Sequence, residues 1–597
     1  MKHIKLGEKS VFGKKKYIFF SIIVLAQTIF FYVVFSNYKV GTHSDEIWNY
    51  AFANSYETKE LYVSNDGESL MNRWMDSDFL LHYISVEEDH RFAYGQVIRN
   101  TAMDQNPPLQ YLILHTICSF FPGKFSWYFC FALNLVAFVV TQFYLFRLTE
   151  SITKKTMVAF ATLILYGFGT GAMNIAIFLR IYALGVMFMV IFAYYSHMIY
   201  EDAKESKLRA GHYIGMGVSC FLGAYTMHLF LLIAFILTVF YVVYYLITKR
   251  YKVFFIHGLF CLSGAVLSIL AFPSIFSHLL GPKESHNYSL VKYPTPMQIR
   301  LYFYELTKDL FGIHISPLPN PYLEWFLIAL VCTIVVVTPF IFVFKKDEWF
   351  KKMVSALKNR FVQIGQKSKN ISVTLLAYFT ATIAMIIIAA DRTSVYMMTV
   401  FCNRYLFLVY PLAVIFVSSA IYFLIYLLSA HWKPAVIVTI CICLIFTVWT
   451  HMLHNCWDYL LPEKRVGKIC EDFEENANTV IVLNTNWVVT MFAPKLCYTN
   501  SYYVMNFRDE VDPELFRNVD KDAPCYFVVD RMPILDENMS YEELEEDPMF
   551  GSWAGVAKHE DDFLAPYLEL EEVKNFNRVG TEFMMGREFW IYEVEFQ

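Results

Sequence analysis

Pro107-Pro108-Leu109-Gln110-Tyr111-Leu112-Ile113-Leu114-His115-Thr116-Ile117-Cys118-Ser119-Phe120-Phe121 is the stretch on which the architecture turns. Its apolar run, 108–121, is about 14 residues long, and a hydrocarbon core of about 30 Å takes about 20 to cross. Two prolines stand at its start, where a helix does not need the missing N–H. The stretch therefore reads as an amphipathic helix lying at the membrane interface. Further apolar segments surround it at 17–36, 126–147, 156–173, 181–199, 211–226, 228–247, 253–272, 322–344, 370–390, 405–428 and 434–452, eleven candidate spans. If 108–121 does not cross, the loops 147–155, 204–209, 249–252 and 345–369 face the cytoplasm. If it crosses, all four face outward. They are the most basic loops of the membrane half, so the positive-inside rule selects the interfacial helix.

The bulk composition agrees. Of the 597 residues, 56% are hydrophobic and 17% charged, with a mean hydropathy of +0.39. A soluble domain carries about 25% charged residues. The reading is a mainly α, polytopic membrane helix bundle. No basic stripe or nucleic-acid motif is visible, which sets that class of partner aside. Twelve cysteines are scattered, many within apolar segments, without zinc or disulfide spacing; they read as small buried hydrophobes. Lys14-Lys15-Lys16 precede the first span with no small-residue cleavage site after it, which reads as a signal anchor with a cytoplasmic N-terminus.

That parity puts a large first loop, 37–123, on the outer face, with the turns after later spans and the segment 453–597. The last carries strand-like runs at 479–483, 525–529 and 589–596 and reads as a small α/β extracytoplasmic domain. The domain reading is a membrane module, 1–452, followed by 453–597.

Thr42-His43-Ser44-Asp45-Glu46-Ile47-Trp48-Asn49-Tyr50 follows the first span directly. Adjacent residues of a helix do not share a face. One carboxylate of Asp45 and Glu46 can take a proton from an acceptor hydroxyl, while the other holds a basic group or a divalent cation; the plain alternative is a solvated cap. Asp104, beside Asn106-Pro107-Pro108, is a second acid for the site or a dipole-facing acid at a helix start. Arg180 and Tyr182 stand at the outer end of a span, where an arginine is costly and either meets a phosphate or snorkels to headgroups. Arg392, Arg404 and Tyr405 bracket a short outer connector and suit a phosphate or headgroup anchoring in the same way. His228 is a pocket candidate or a structural histidine, and His43 and Asn106 flank the acids. A helix is expected near 297–311, within a loop that serves as a gate or a connector.

Each of these is a weak signal alone, but their order is distinctive. An acidic pair follows the first span; Asn106-Pro107-Pro108-Leu109-Gln110-Tyr111 closes the first loop; Arg180-Ile181-Tyr182 opens a span; His228 lies on the outer side; Arg404-Tyr405-Leu406 precedes a helical Pro411. This pattern, across 17–452, resembles the GT-C superfamily of membrane glycosyltransferases, in particular bacterial relatives of protein O-mannosyltransferases and aminoarabinose transferases. It departs from the usual His-Pro-Pro-Leu-Tyr-Tyr turn at Asn106 and Gln110, and Leu179 stands where an acid often precedes the Arg-x-Tyr motif. The resemblance implies a sugar donor on a polyprenyl phosphate and transfer at the outer face of the cell membrane to a lipid, protein or cell-wall glycan acceptor. Asp45 would be the general base or acceptor-orienting group, with Glu46 supporting it and Asp104 lining the pocket, and Arg180 or Arg404 would bind the lipid phosphate. Two rivals share these features: a lipid-linked-sugar flippase, expected to have discontinuous helices and midplane charges, and a cell-surface glycan polymerase or ligase.

Overall fold

The computed structural model describes residues 15–39, 42–56, 71–103, 106–275, 295–311, 372–392, 402–429, 432–452, 458–460, 466–467, 477–532, 534–535, 558–584 and 587–597, with positions 348 and 355. Among the described residues, seven helices are long and apolar enough to cross a membrane: Lys15–Tyr38, Trp127–Thr153, Tyr182–Lys204, Leu229–Ile247, Tyr251–Ala271, Val373–Ala390 and Trp432–Trp449. Eight qualify if the bent pair Thr156–Gly167 and Thr170–Ile177 is one span. Eleven were expected. The segment 322–344 lies outside the described residues; Ala210–Ala224 has 15 residues, short of a span, and Tyr410–Ser429 has 20. Residues 405 and 406, expected to begin the span 405–428, instead belong to a 3-10 turn, Cys402–Leu406, before the helix. The chain is a multi-pass membrane protein with a C-terminal sheet.

The helix in 108–121 runs Leu109–Ser119, 11 residues. At a rise of 1.5 Å per residue that is about 16 Å, half a hydrocarbon core.

The chain's contacts divide it into two units, Met1–Asn37 with Ala132–Asp458, and Tyr38–Phe131 with Tyr459–Gln597. This differs from a boundary at 452: the first loop groups with the C-terminal segment. The reason lies in the sheet of the second unit. Its strands are β1 (Trp74–Asp76), β2 (Val466–Gly467), β3 (Asn478–Leu483), β4 (Ser501–Asn506), β5 (Cys525–Asp530), β8 (Val573–Met584) and β9 (Arg587–Phe596), in the order β1-β4-β3-β5-β9-β8-β2. A separate two-stranded ladder pairs β6 (Ile534–Leu535) with β7 (Lys558–His559). β3 runs parallel to β4 and β5, the other pairs of the seven-stranded sheet are antiparallel, and the β6–β7 ladder is parallel. β1 comes from the first loop and lies on β4, Trp74 opposite Tyr503; its indole N–H also donates to the Leu515 carbonyl at 2.8 Å.

β3 and β5 are buried at every position, as continuous Val/Ile/Phe runs in parallel strands require. On one face, Phe527, Phe576 and Tyr592 pack with Phe563 and Tyr567 of the helix Glu560–Leu568. Beside the sheet, the 3-10 turn Asn486–Phe492 packs on the helix Ser44–Asn54, and the helix Ala493–Leu496 packs on Asp78–Ile84. The C-terminal domain is therefore the platform that seats the helix bearing Asp45 and Glu46.

In the first unit the bend at 168–169 is a close-approach joint. Gln27 and Gln142 are wholly buried there; Gln142 Nε2 donates to Gln27 Oε1 at 2.6 Å, and Gln27 Nε2 to the Leu163 carbonyl at 2.9 Å. A Cβ on Gly167 would lie 2.0 Å from Gln142 Nε2, and one on Gly171 would lie 2.6 Å from the Tyr410 ring. Gly171→Ala is expected to cost about 1–3 kcal/mol through overpacking, read as a lower unfolding midpoint of the detergent-solubilised protein. An unchanged midpoint would show that the ring moves aside freely.

Candidate active site

The acidic pair opens the helix Ser44–Asn54, and its two members have different surroundings. His43 is the N-cap, and its Nδ1 accepts the Asp45 N–H at 3.0 Å. Glu46 reaches back and accepts the His43 N–H at 2.9 Å, completing a capping box. Lys39 Nζ donates to both Glu46 oxygens at 2.9 and 3.0 Å and to the Tyr459 carbonyl at 3.0 Å. Glu46 is fully buried and the Lys39 side chain is 7% exposed. Glu46 is thus committed to the cap and to its counter-ion. The Asp45 side chain keeps 17% exposure, and its carboxylate stands 3.9 Å from His43 Nδ1. Because Nδ1 accepts a backbone N–H, the neutral His43 carries its proton on Nε2.

Beneath this helix lies a polar layer. Asn49 and Gln110 each direct an amide N–H to Cys130 Sγ at 3.5 Å, while Asn49 Oδ1 and Gln110 Oε1 are buried without a hydrogen bond. Tyr50 donates to the Ser126 carbonyl at 2.7 Å and accepts the Cys130 N–H at 3.1 Å. Burial pulls the His115 pKa below the usual imidazole value, against the backbone of Ala53, which raises it. Asn106 is half-buried at the turn into the short helix. Asp104 lies outside the described residues, as does the side chain of Arg392.

The cationic candidates belong to the first unit. Arg180 is 7% exposed, in the turn between Thr170–Ile177 and Tyr182–Lys204. Asn134 Nδ2 fixes that turn, donating to the carbonyls of Ala176 and Phe178 at 3.0 and 2.9 Å. The Tyr182 ring stacks on Phe178 at 5.5 Å and meets Phe407 edge-on at 5.5 Å, which brings the Arg180 turn to the 3-10 turn Cys402–Leu406. In that turn the Arg404 guanidinium lies 5.4 Å from the Tyr405 ring centre. His228 is half-buried at the start of Leu229–Ile247 and makes no side-chain cap there.

Sequence reasoning missed the acids that accompany these cations. The helix expected near 297–311 forms as Thr295–Phe311 and is not among the apolar spans. It carries Glu305, Lys308 and Asp309, an i, i+3, i+4 set on one face. Lys308 Nζ pairs with Glu305 at 2.6 Å and Asp458 at 2.9 Å. Asp309 takes amide hydrogen bonds from Asn174 at 3.3 Å and from Asn403 at 3.3 and 3.4 Å, and Asn403 also donates to Asp458 at 3.1 Å. Tyr410 donates to the Asp309 carbonyl at 3.2 Å. The spacing was visible in the sequence, but the partners lie far along the chain.

Burial pushes the Asp309 carboxyl well above the ordinary carboxylate range against the pull of Lys308, and burial raises Glu305 as well. Burial alone would lower Lys308, but Asp458, Glu305 and Asp309 outweigh it and raise its pKa. Asp309 and Glu305 hold protons in the folded state that the unfolded chain releases near pH 4. Their contribution to stability is therefore present below about pH 4 and declines as pH rises toward their raised values. Lys308 works on another range, losing its contribution only above the usual lysine pKa. Asp309→Asn is expected to flatten the decline above about pH 4, followed by urea unfolding at several pH values. Parallel curves for the two proteins would refute the assignment.

No protein-family model matches the chain, and no curated protein matches it. Among solved structures it is similar to ArnT from Cupriavidus metallidurans in the apo state (11% identity, TM-score 0.40, covering 97% of this chain and 98% of that one). It is similar to the same protein bound to undecaprenyl phosphate (12%, TM-score 0.38, 96% and 97%). It is also similar to the archaeal oligosaccharyltransferase AglB from Archaeoglobus fulgidus, in complex with an inhibitory peptide and a dolichol-phosphate (10%, TM-score 0.44, 94% and 73%). Likeness at this level assigns no residue a role.

Proposed function

We propose that the chain is an integral-membrane glycosyltransferase of GT-C type. It takes a sugar from a polyprenyl-phosphate carrier and transfers it to a hydroxyl or amine acceptor at the outer face of the cell membrane. The observation that carries this reading is the division of labour in the acidic pair: Glu46 is consumed by Lys39 and the helix cap, while Asp45 remains accessible on a rigid first turn. A carboxylate held this way suits a general base. Asp45 takes the acceptor proton, the acceptor oxygen or nitrogen bonds to the anomeric carbon, and the bond from that carbon to the carrier phosphate breaks with its electron pair on the phosphate. Arg180 and Arg404 carry the phosphate's charge. One displacement inverts the anomeric configuration. A divalent cation at this end would be held through Asp45, since Glu46 is committed. In this reading the N-terminus is cytoplasmic and the second unit is extracytoplasmic.

One feature favours the flippase reading. The bent pair Thr156–Gly167 and Thr170–Ile177, at 55°, has the broken-helix form expected of transporters. Its joint, however, is filled by Tyr410 and the Gln27–Gln142 pair.

The test uses the purified full chain in liposomes with a radiolabelled polyprenyl-phosphate sugar and a membrane extract as acceptor source. Label should move to acceptor, and Arg180→Ala should raise the KM for the donor by about 10-fold or more, the loss of one charge-assisted contact of about 1.5–3 kcal/mol. Carrier that changes leaflet with its sugar bond intact would overturn the enzyme reading in favour of transport.

A further inference from the structure

A second cluster of ligating side chains lies in the first loop and plays no part in glycosyl transfer. His82 lies in the last turn of the helix Asp78–Ile84, Glu87 caps the 3-10 turn Glu88–His90, and Asp89 and His90 lie within it. Oxygen and nitrogen atoms of Glu87, Asp89 and His90 all lie within 4.8 Å of one another. His90 Nδ1 stands 3.2 Å from Glu87 Oε2 and 3.7 Å from Asp89 Oδ1, and His82 Nδ1 stands 3.6 Å from Glu87 Oε1.

Two observations distinguish this group from ordinary histidine–carboxylate pairing. First, His90 Nδ1 is shielded from solvent and makes no hydrogen bond, although Glu87 is only 3.2 Å away. The carboxylate oxygen therefore lies off the direction along which that nitrogen donates or accepts. Ligands sharing one ion have this relation, because each points at the metal and not at its neighbour. Tetrahedral bonds of about 2.0–2.2 Å place neighbouring donors about 3.3–3.6 Å apart, close to the separations found. Second, the imidazole plane is held from outside: Tyr56 stacks on His90 at 3.8 Å and 12°. The neighbouring acid Glu88 is taken by Arg91 at 2.8 Å, whereas no lysine or arginine among the described residues pairs with Glu87 or Asp89.

We infer that Glu87, Asp89 and His90, with His82 beside Glu87, form a binding site for a zinc-class divalent cation. Imidazole nitrogen in the donor set selects Zn²⁺, Co²⁺ or Ni²⁺ over the oxygen-seeking Mg²⁺ and Ca²⁺. The bound ion ties the end of the helix Asp78–Ile84 to the 3-10 turn. That helix packs on Ala493–Leu496, so the ion braces the platform of the second unit.

The experiment takes the full-length protein in detergent, stripped with a chelator and titrated with Co²⁺ alone and with Zn²⁺ alone. Expected are a single saturable site, visible tetrahedral Co²⁺ absorption displaced by Zn²⁺, and a higher unfolding midpoint with Zn²⁺. Glu87→Gln/His90→Ala should abolish all three while keeping the far-ultraviolet spectrum. His82→Ala, at a side chain 53% exposed and safe for folding, should weaken binding by about tenfold or more. Absence of saturable binding, binding unchanged in both variants, or equal binding of Mg²⁺ would overturn the site.

Discussion

Asp45→Asn is expected to lower transfer by about 10²–10⁴-fold, the range of a lost general base, at a cost in stability below about 1 kcal/mol. The separation follows from the geometry. The Asp45 backbone N–H, not its carboxylate, bonds to the His43 cap, so asparagine leaves the helix start intact. Donor binding should be unaffected, since the base acts on the acceptor, and the loss should fall on kcat. Glu46→Gln, made together with Lys39→Met so that no buried charge is stranded, is the control. Glutamine still accepts the His43 N–H in a capping box, so this variant should keep most of the transfer activity. If this double variant abolishes transfer and Asp45→Asn does not, the roles are reversed and the proposed base is wrong.

Lys39→Ala should be the most destabilising single change in the second unit, by about 3–5 kcal/mol, because it strands the fully buried Glu46 carboxylate. The pair itself need not be strongly stabilising, since burying two charges costs much of what their attraction returns. Lys39→Met with Glu46→Gln should therefore recover to within about 1.5 kcal/mol of the parent, with the cap preserved. Thermal unfolding and hydrogen exchange across 44–54 measure both. Equal losses in the single and double variants would show that Lys39 acts through its Tyr459 contact and not through Glu46.

What could be read in the sequence was local. The first span, the strands at 479–483, 525–529 and 589–596, and the helix near 297–311 announce themselves through run length and β-branched content, and the structure has them at those places. Asp45 was legible as a candidate because an acidic pair directly after a span is unusual. The fate of Glu46 was not, since the Lys39 contact depends on how the chain turns between span and helix. Asp458 meets Lys308 across 150 positions of chain, and three residues of β1 are too few to show a strand pattern. The joint at 168–169 hid within an apolar run of span length, where only Gly167, Gly169 and Gly171 marked it.

The strand β1 has a consequence for how the protein is made. Trp74 leaves the ribosome early, yet its partners Tyr503 and Leu515 follow more than 400 residues later, with indole and carbonyl 441 positions apart. The polypeptide between them includes nearly every membrane span. At about 5–20 residues per second, the first loop waits tens of seconds or longer with its sheet edge unpaired. The helix that carries Asp45 waits with it, because the turn on which it packs is also C-terminal. The helix that carries Asp45 is therefore seated only after residues 486–492 have been made, and a nascent chain stalled within its spans lacks that seat however much of the bundle has already inserted.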